Sequence, residues 1–228
     1  MKLLFIRHGE PDYSRDCLTE NGLVQAAHLA KRLEKENITA AFHSPMGRAA
    51  ETAQICMDGR GIPLTMCSWL REFDVKVHDK DLPEDVPVWD ILPVNWTADP
   101  LLFDRIRYTE SAVSQGTEIA ERAAAAAKGL DEVLASYGLV RDGGIYRKLK
   151  DCDETLVFFC HFGITCVMIA HLLGVSPIIT LQGMSAEPTA IATLCTDDRF
   201  GREVNFRLHG FGDINHLPEQ GIGKVNYQ

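Results

Sequence analysis

Two short apolar runs constrain this chain more than any other feature. "LLFI" at 3–6 and "LVFFC" at 156–160 offer water no polar side chain. Each is too short for a helix, so each reads as a strand buried on both faces. Such strands need a sheet covered on both sides. Between them, strand-like and helix-like patterns alternate. The expected class is therefore α/β: a three-layer sandwich with a central mostly parallel sheet and helices on both faces.

The pattern is readable element by element. "LTENGLVQAAHLAKRLEKEN" places Leu23, Ala26, Ala30 and Leu33 on one helical face, with Thr19 as N-cap. "ITAAFHS" reads as a second strand, "GRAAETAQICM" as a helix and "IPLTMCSWL" as a third strand. "TEIAERAAAAAKGLDEVLASYG" reads as a long helix between Thr117 as N-cap and Gly138 as C-cap. "VRDGGIYRKL" reads as a hairpin turned at Asp142-Gly143-Gly144, and "TAIATLCT" with "EVNFRLH" as an antiparallel pair. Residues 74–114 break the alternation with Pro83, Pro87, Pro93 and Pro100, two tryptophans and many acids. The expectation is one domain, 1–228, with a cap inserted at 74–114.

Composition excludes several partners. With 23 basic and 32 acidic residues the net charge is −9. That disfavours nucleic acid and anionic membranes, though not a small anion in a local basic pocket. Seven cysteines, an odd count with no C-x-x-C pair, fit a reducing compartment. No apolar leader and no run of membrane-spanning length occur, so a cytoplasmic protein is expected. Oligomeric state is left open.

Chemistry gathers at the ends of the strands. Arg7 and His8 end the first, and His161 ends the strand at 155–160. Arg48 follows the second, in the first turn of a helix, and Glu72 follows the third. In an open α/β sheet, ligands bind at the carboxyl ends of the strands. If the two histidine-bearing strands are parallel neighbours, their imidazoles meet. Arginine forks suit phosphate oxygens, and histidine can attack phosphorus. No H-x-x-x-H or H-E-x-x-H spacing appears and the arginines would repel a cation, so no metal is expected.

"RHGE", "LTENGLVQA", "HSPMGRAAETA", "LRE" at 70–72 and the late strand ending in His161 together resemble the histidine phosphatase superfamily, which includes the phosphoglycerate mutase-like enzymes. The closing "DINHL" resembles a C-terminal signature of bacterial members. The resemblance implies that His8 attacks phosphorus and that Arg7, Arg48 and His161 surround the phosphoryl oxygens. Glu72 would protonate the leaving oxygen and then activate water, with no cofactor required. Asp74, Asp79 and Asp81 are rival acids. Three departures stand out. Ser14 occupies a position where relatives often carry a phosphate-binding asparagine. Phe162 separates His161 from Gly163 and would line the substrate pocket. The "GW" segment of true mutases is missing after "RHG". Together these imply a metal-independent phosphomonoesterase acting on a small phosphorylated metabolite. The alternatives are a mutase and a non-catalytic phosphate binder on the same scaffold. The acids of 74–104 predict a rim that repels polyanions.

Overall fold

In the computed structural model, which describes residues 1–218, the two apolar runs lie side by side. The elements in chain order are β1 (Lys2–Arg7), β2 (Pro11–Asp12), β3 (Cys17–Leu18), α1 (Glu20–Leu33), β4 (Ala40–His43), α2 (Gly47–Met57), β5 (Leu64–Met66), β6 (Lys76–Val77), β7 (Val86–Pro87), α3 (Pro93–Trp96), α4 (Ile119–Ser136), β8 (Leu139–Asp142), β9 (Ile145–Lys148), β10 (Thr155–Cys160), α5 (Phe162–Leu173), α6 (Pro177–Gly183), β11 (Ile191–Asp197) and β12 (Glu203–Asp213). Eight strands form one sheet in the order β5-β4-β10-β1-β11-β12-β9-β8. The pairings from β5 to β1 are parallel, and those from β1 to β8 are antiparallel. This is the expected α/β class.

Strand alternation sorts the core into two layers. Leu4 and Ile6, with Val157 and Phe159, face α1 and α2, where Leu29, Leu33, Ala53 and Met57 cover them. Leu3 and Phe5, with Leu156 and Phe158, face the opposite layer built on α4, α5 and α6. Phe158 stacks between Phe5 and Phe42 at centroid distances of 5.0 and 5.1 Å. Each such aromatic pair contributes about 0.5–1.5 kcal/mol beyond its buried area.

Local chemistry sets the boundaries. Thr19 accepts from the Gly22 N–H at 3.0 Å and starts α1. Gly143 and Gly144 turn the β8–β9 hairpin, with Gly143 at φ 60°. Two expectations are corrected. The third strand shrinks to Leu64–Met66, because the chain turns into a 3₁₀ segment at Ser68–Leu70. The long helix begins at Ile119 with Glu118 at its N-cap, and Thr117 accepts from the Ile119 N–H from just outside.

Residues 74–114 hold the β6–β7 ribbon, α3 and 3₁₀ turns at Pro100–Phe103 and Arg107–Glu110. Their buried Val75, Val77, Val88, Ile91, Leu102 and Tyr108 join the same apolar layer as Phe5 and Phe158. Three cap acids are consumed internally. Asp79 is buried and accepts from the Asp81 and Leu92 N–H groups and from Asn95. Asp99 caps the first 3₁₀ turn and Asp104 accepts at the second. Carboxylates held by backbone N–H groups fasten residues 74–114 and keep their charge, and Asp104 stays exposed. Among the described residues, no helix is long and apolar enough to cross a membrane.

Candidate active site

The register of the central strands assembles the cluster. β1 and β10 run parallel with Arg7 opposite Cys160, so the next residues out, His8 and His161, emerge together. The His8 N–H donates to Cys160 O at 3.0 Å. The two imidazole centroids lie 5.1 Å apart at 61°. β4 flanks β10 on the other side, and the Ser44 N–H donates to Phe159 O at 2.9 Å, which sets Ser44 beside His161.

Hydrogen bonds point to one tautomer for each ring. His8 Nδ1 lies 2.7 Å from Gly9 O. A carbonyl only accepts, so Nδ1 carries the proton and Nε2 keeps its lone pair. Burial lowers the His8 pKa to about 3, and Arg7 and Arg48 push the same way. His161 Nε2 lies 2.8 Å from Ser44 Oγ. Ser44 Oγ already accepts from the Met46 N–H. Its own proton finds no other acceptor among the described residues, so it goes to His161 Nε2. That leaves the proton of His161 on Nδ1. Burial also lowers the pKa of His161, reinforced by His8, Arg48 and Arg7. Both rings are neutral: one presents a lone pair, the other an N–H.

Two cations complete the cluster. Arg7 reaches back to Ala186 O through Nη1, and Arg48 Nη1 is held by Asp16 at 2.5 Å. Arg7 Nε, Arg48 Nε and His161 Nδ1 are buried donors with no partner. They make up three of the six buried side-chain N and O atoms so placed among the described residues. Buried polar groups are nearly always paired, so three unpaired donors on residues whose rings or charges act on His8 are an exception that calls for a ligand partner.

Glu72 stands at the N-terminus of α5. Its Oε1 accepts from the Phe73 N–H at 2.7 Å and the Ile164 N–H at 3.1 Å. Its Oε2 makes no protein hydrogen bond among the described residues. Burial raises the Glu72 pKa, against those two N–H groups and the charges of Arg7 and Arg48. Gly163 makes the approach possible: a Cβ there would lie 2.9 Å from Glu72 Oε1 and 2.7 Å from the Trp89 ring. Trp89, from the cap, also meets Phe162 edge-on at 5.9 Å. Two of the three rival acids are otherwise engaged. Asp74 pairs with Arg122 at 3.0 Å, Asp79 is buried within the cap, and Asp81 is exposed.

The structure gathers Arg7, His8, Arg48, His161 and Glu72, and sets Phe162 beside the cap. Ser14 is not gathered: it is exposed, and its hydroxyl donates to Asp12 at 2.6 Å. Sequence reasoning missed Asp16, Ser44 and Trp89. Ser44 follows a strand as His8 and His161 do, so its position alone was a signal. Asp16 had none, since its left-handed φ of 50° and its grip on Arg48 appear only in three dimensions.

Comparison with known proteins gives the family and the fold of the chain. The family model for the histidine phosphatase superfamily (branch 1) matches residues 3–207. The probable phosphoglycerate mutase GpmB of Cronobacter sakazakii is 30% identical over 112 residues, covering 43% of this chain and 52% of that protein. The counterpart from Enterobacter is 27% identical over 152 residues, covering 61% and 70%. The match thus spans about half the length of the first of these curated relatives. Among solved structures, a phosphoserine phosphatase of Entamoeba histolytica superposes with a TM-score of 0.62 at 22% identity, covering 95% of this chain and 99% of that one. A mycobacterial glucosyl-3-phosphoglycerate phosphatase superposes with a TM-score of 0.64 at 20% identity, covering 95% and 99%. At such identities the superpositions speak to fold alone.

Proposed function

The chain belongs to the histidine phosphatase superfamily, branch 1, and from that premise we propose that it hydrolyses a small phosphate monoester through a phosphohistidine on His8. One observation carries the reading. A neutral imidazole with its lone pair on Nε2 sits beside three unpaired buried donors on Arg7, Arg48 and His161. In the first step Nε2 attacks phosphorus, and the ester P–O bond breaks. Glu72 gives its proton to the departing oxygen. In the second step the Glu72 carboxylate takes a proton from water, the water oxygen attacks phosphorus, and the P–N bond breaks. Arg7, Arg48 and the His161 N–H hold the phosphoryl oxygens through both steps. Catalysis of this kind is positioning and electrostatic stabilisation.

Transfer within a phosphorylated sugar or glycerate is the second reading, suggested by the names of the curated relatives. A panel of metabolite phosphates separates the two. Hydrolysis releasing inorganic phosphate without a bisphosphorylated primer supports the phosphatase. Turnover that appears only with such a primer supports the mutase.

Trp89 gives the reading a test in pH. The ring shares with Glu72 Oε1 the space above Gly163 and so forms one wall beside the carboxyl. Trp89→Ala admits water, which lowers the raised pKa of Glu72 toward the ordinary carboxylate range. The acid form is then lost at lower pH. The alkaline limb of the pH–rate profile for an alkyl phosphate should move down. An unmoved limb would show that Trp89 does not shield the acid.

A further inference from the structure

Thr189 is the most strained non-glycine residue near the cluster. It is fully buried, and its φ is +63°. A β-branched residue rarely adopts the left-handed region, and such outliers persist only where the surroundings over-determine them. Here its backbone N–H points at two carbonyls at once, Arg7 O and His8 O, each at 3.1 Å. Its neighbours grip the same dipeptide. Ala190 O accepts from the Arg7 N–H at 3.1 Å, and Ala186 O accepts from the Arg7 guanidinium. The loop 186–190 therefore holds the Arg7–His8 backbone and the Arg7 side chain together.

The Thr189 side chain is fastened in turn. Its hydroxyl donates to Pro188 O at 2.6 Å. His216 Nε2 lies 3.0 Å from the same oxygen. The hydroxyl proton is already used, so His216 must donate Nε2–H to Thr189 Oγ1. That leaves His216 Nδ1 as a bare lone pair, and it is buried without a partner among the described residues. An imidazole that leaves one nitrogen unsatisfied to keep the other on a threonine is held there by the fold. The turn "DINHL" does the holding. The Asn215 N–H donates to Asp213 Oδ1 at 2.9 Å, and the Leu217 N–H to Ile214 O at 2.8 Å. Asp213 pairs with Ile191 at the start of β11, so the turn lies beside residues 186–190.

We propose that Thr189 and His216 form a positioning clamp that fixes the Arg7–His8 dipeptide in its attacking geometry, with His216 acting only through Thr189. The clamp rests on the reading of His8 as nucleophile. Through it the "DINHL" segment, next to β11, locks the strained loop. A misplacement of about 1 Å in a reacting group can cost about 10²-fold in rate. Loss of the clamp should therefore appear in the phosphoryl-transfer step.

The experiment measures single-turnover formation of the phosphohistidine from p-nitrophenyl phosphate, on protein shown to be folded by circular dichroism. His216→Ala and Thr189→Ala should each slow the step about 10–100-fold. The double variant should be no slower than the slower single, because both remove one linkage. Thr189→Ser and His216→Gln keep the acceptor and the donor respectively, and each should restore most of the rate. Wild-type rates in folded His216→Ala and Thr189→Ala would overturn the clamp, and so would effects that multiply in the double variant. If one of the alanine variants does not fold, the other together with Thr189→Ser decides in the same way. Failure of the wild type to form any phosphohistidine would instead overturn the nucleophile. Nitrogen NMR of the His8 ring reads the clamp without turnover: in His216→Ala its resonances should shift, and unchanged resonances would count against the proposal.

Discussion

His8→Ala should lose phosphatase activity by on the order of 10⁴-fold or more, since no second nucleophile stands ready. The adjacent imidazole is the obvious substitute, yet it is poorly set for attack. His161 Nε2 is bonded to Ser44 Oγ, and in the tautomer this imposes, Nδ1 bears the proton. Of these two imidazoles only His8 presents an unengaged lone pair, because Gly9 O binds its Nδ1–H. Brief incubation with a radiolabelled phosphate monoester should leave acid-labile, base-stable label on the wild type and none on His8→Ala. Removing a buried ring leaves a cavity, so His8→Asn serves as a second, smaller perturbation with the same expected loss of label. Label retained on either folded variant would move the nucleophile elsewhere. Ser44→Ala adds a check on the tautomer. If Ser44 dictates it, His161 in this variant is free to carry its proton on Nε2, and phosphate affinity should weaken.

Much of this site was legible because each residue sits where backbone geometry leaves a mark in the sequence. A strand buried on both faces shows as an unbroken apolar run, so the polar residue that ends it is conspicuous. Arg7, His8 and His161 were found this way, and the parallel β1–β10 pairing supplies the adjacency that the sequence could only pose as a condition. Arg48 was found because a helix had to start there. Residues that act by approach across long sequence separations left no such mark. Asp16 holds Arg48, Thr189 holds the Arg7–His8 backbone, and Trp89 meets Glu72 above Gly163, each through contacts that no periodicity encodes. Ser14 shows the opposite failure. Its position suggested a phosphate ligand, but a short loop lets it turn back on Asp12. Composition likewise could not show which acids of 74–104 cap turns, as Asp99 and Asp104 do.

Glu72→Gln should slow phosphohistidine formation far more with an alkyl phosphate than with p-nitrophenyl phosphate. An alkoxide leaves poorly and needs a proton in the transition state, whereas nitrophenolate needs almost none. General acid catalysis contributes about 10²–10⁴-fold where the proton is required. The loss should approach that range for the alkyl ester and stay within a few-fold for the nitrophenyl ester. Glutamine is a fair probe because its amide oxygen can keep accepting from the Phe73 and Ile164 N–H groups that pin Oε1. What it removes is the proton on the other oxygen. The sign of the pH dependence follows from the same contacts. His8 must be neutral, and burial holds its pKa down to about 3, so the acid limb lies well below an ordinary histidine. Glu72 must be protonated, and burial raises its pKa, so the alkaline limb lies above an ordinary carboxylate. Activity on alkyl esters is then greatest between those limits and falls as Glu72 ionises. For the nitrophenyl ester the alkaline limb of this step should be shallow or missing. Isolating the first step by rapid-quench labelling is essential, because the same carboxylate acts as base in the later hydrolysis. Equal slowing of both esters in that step would exclude Glu72 as the acid. Asp81 would then be the rival to test first, since Asp74 is paired with Arg122 and three donors hold Asp79 in its ionised form.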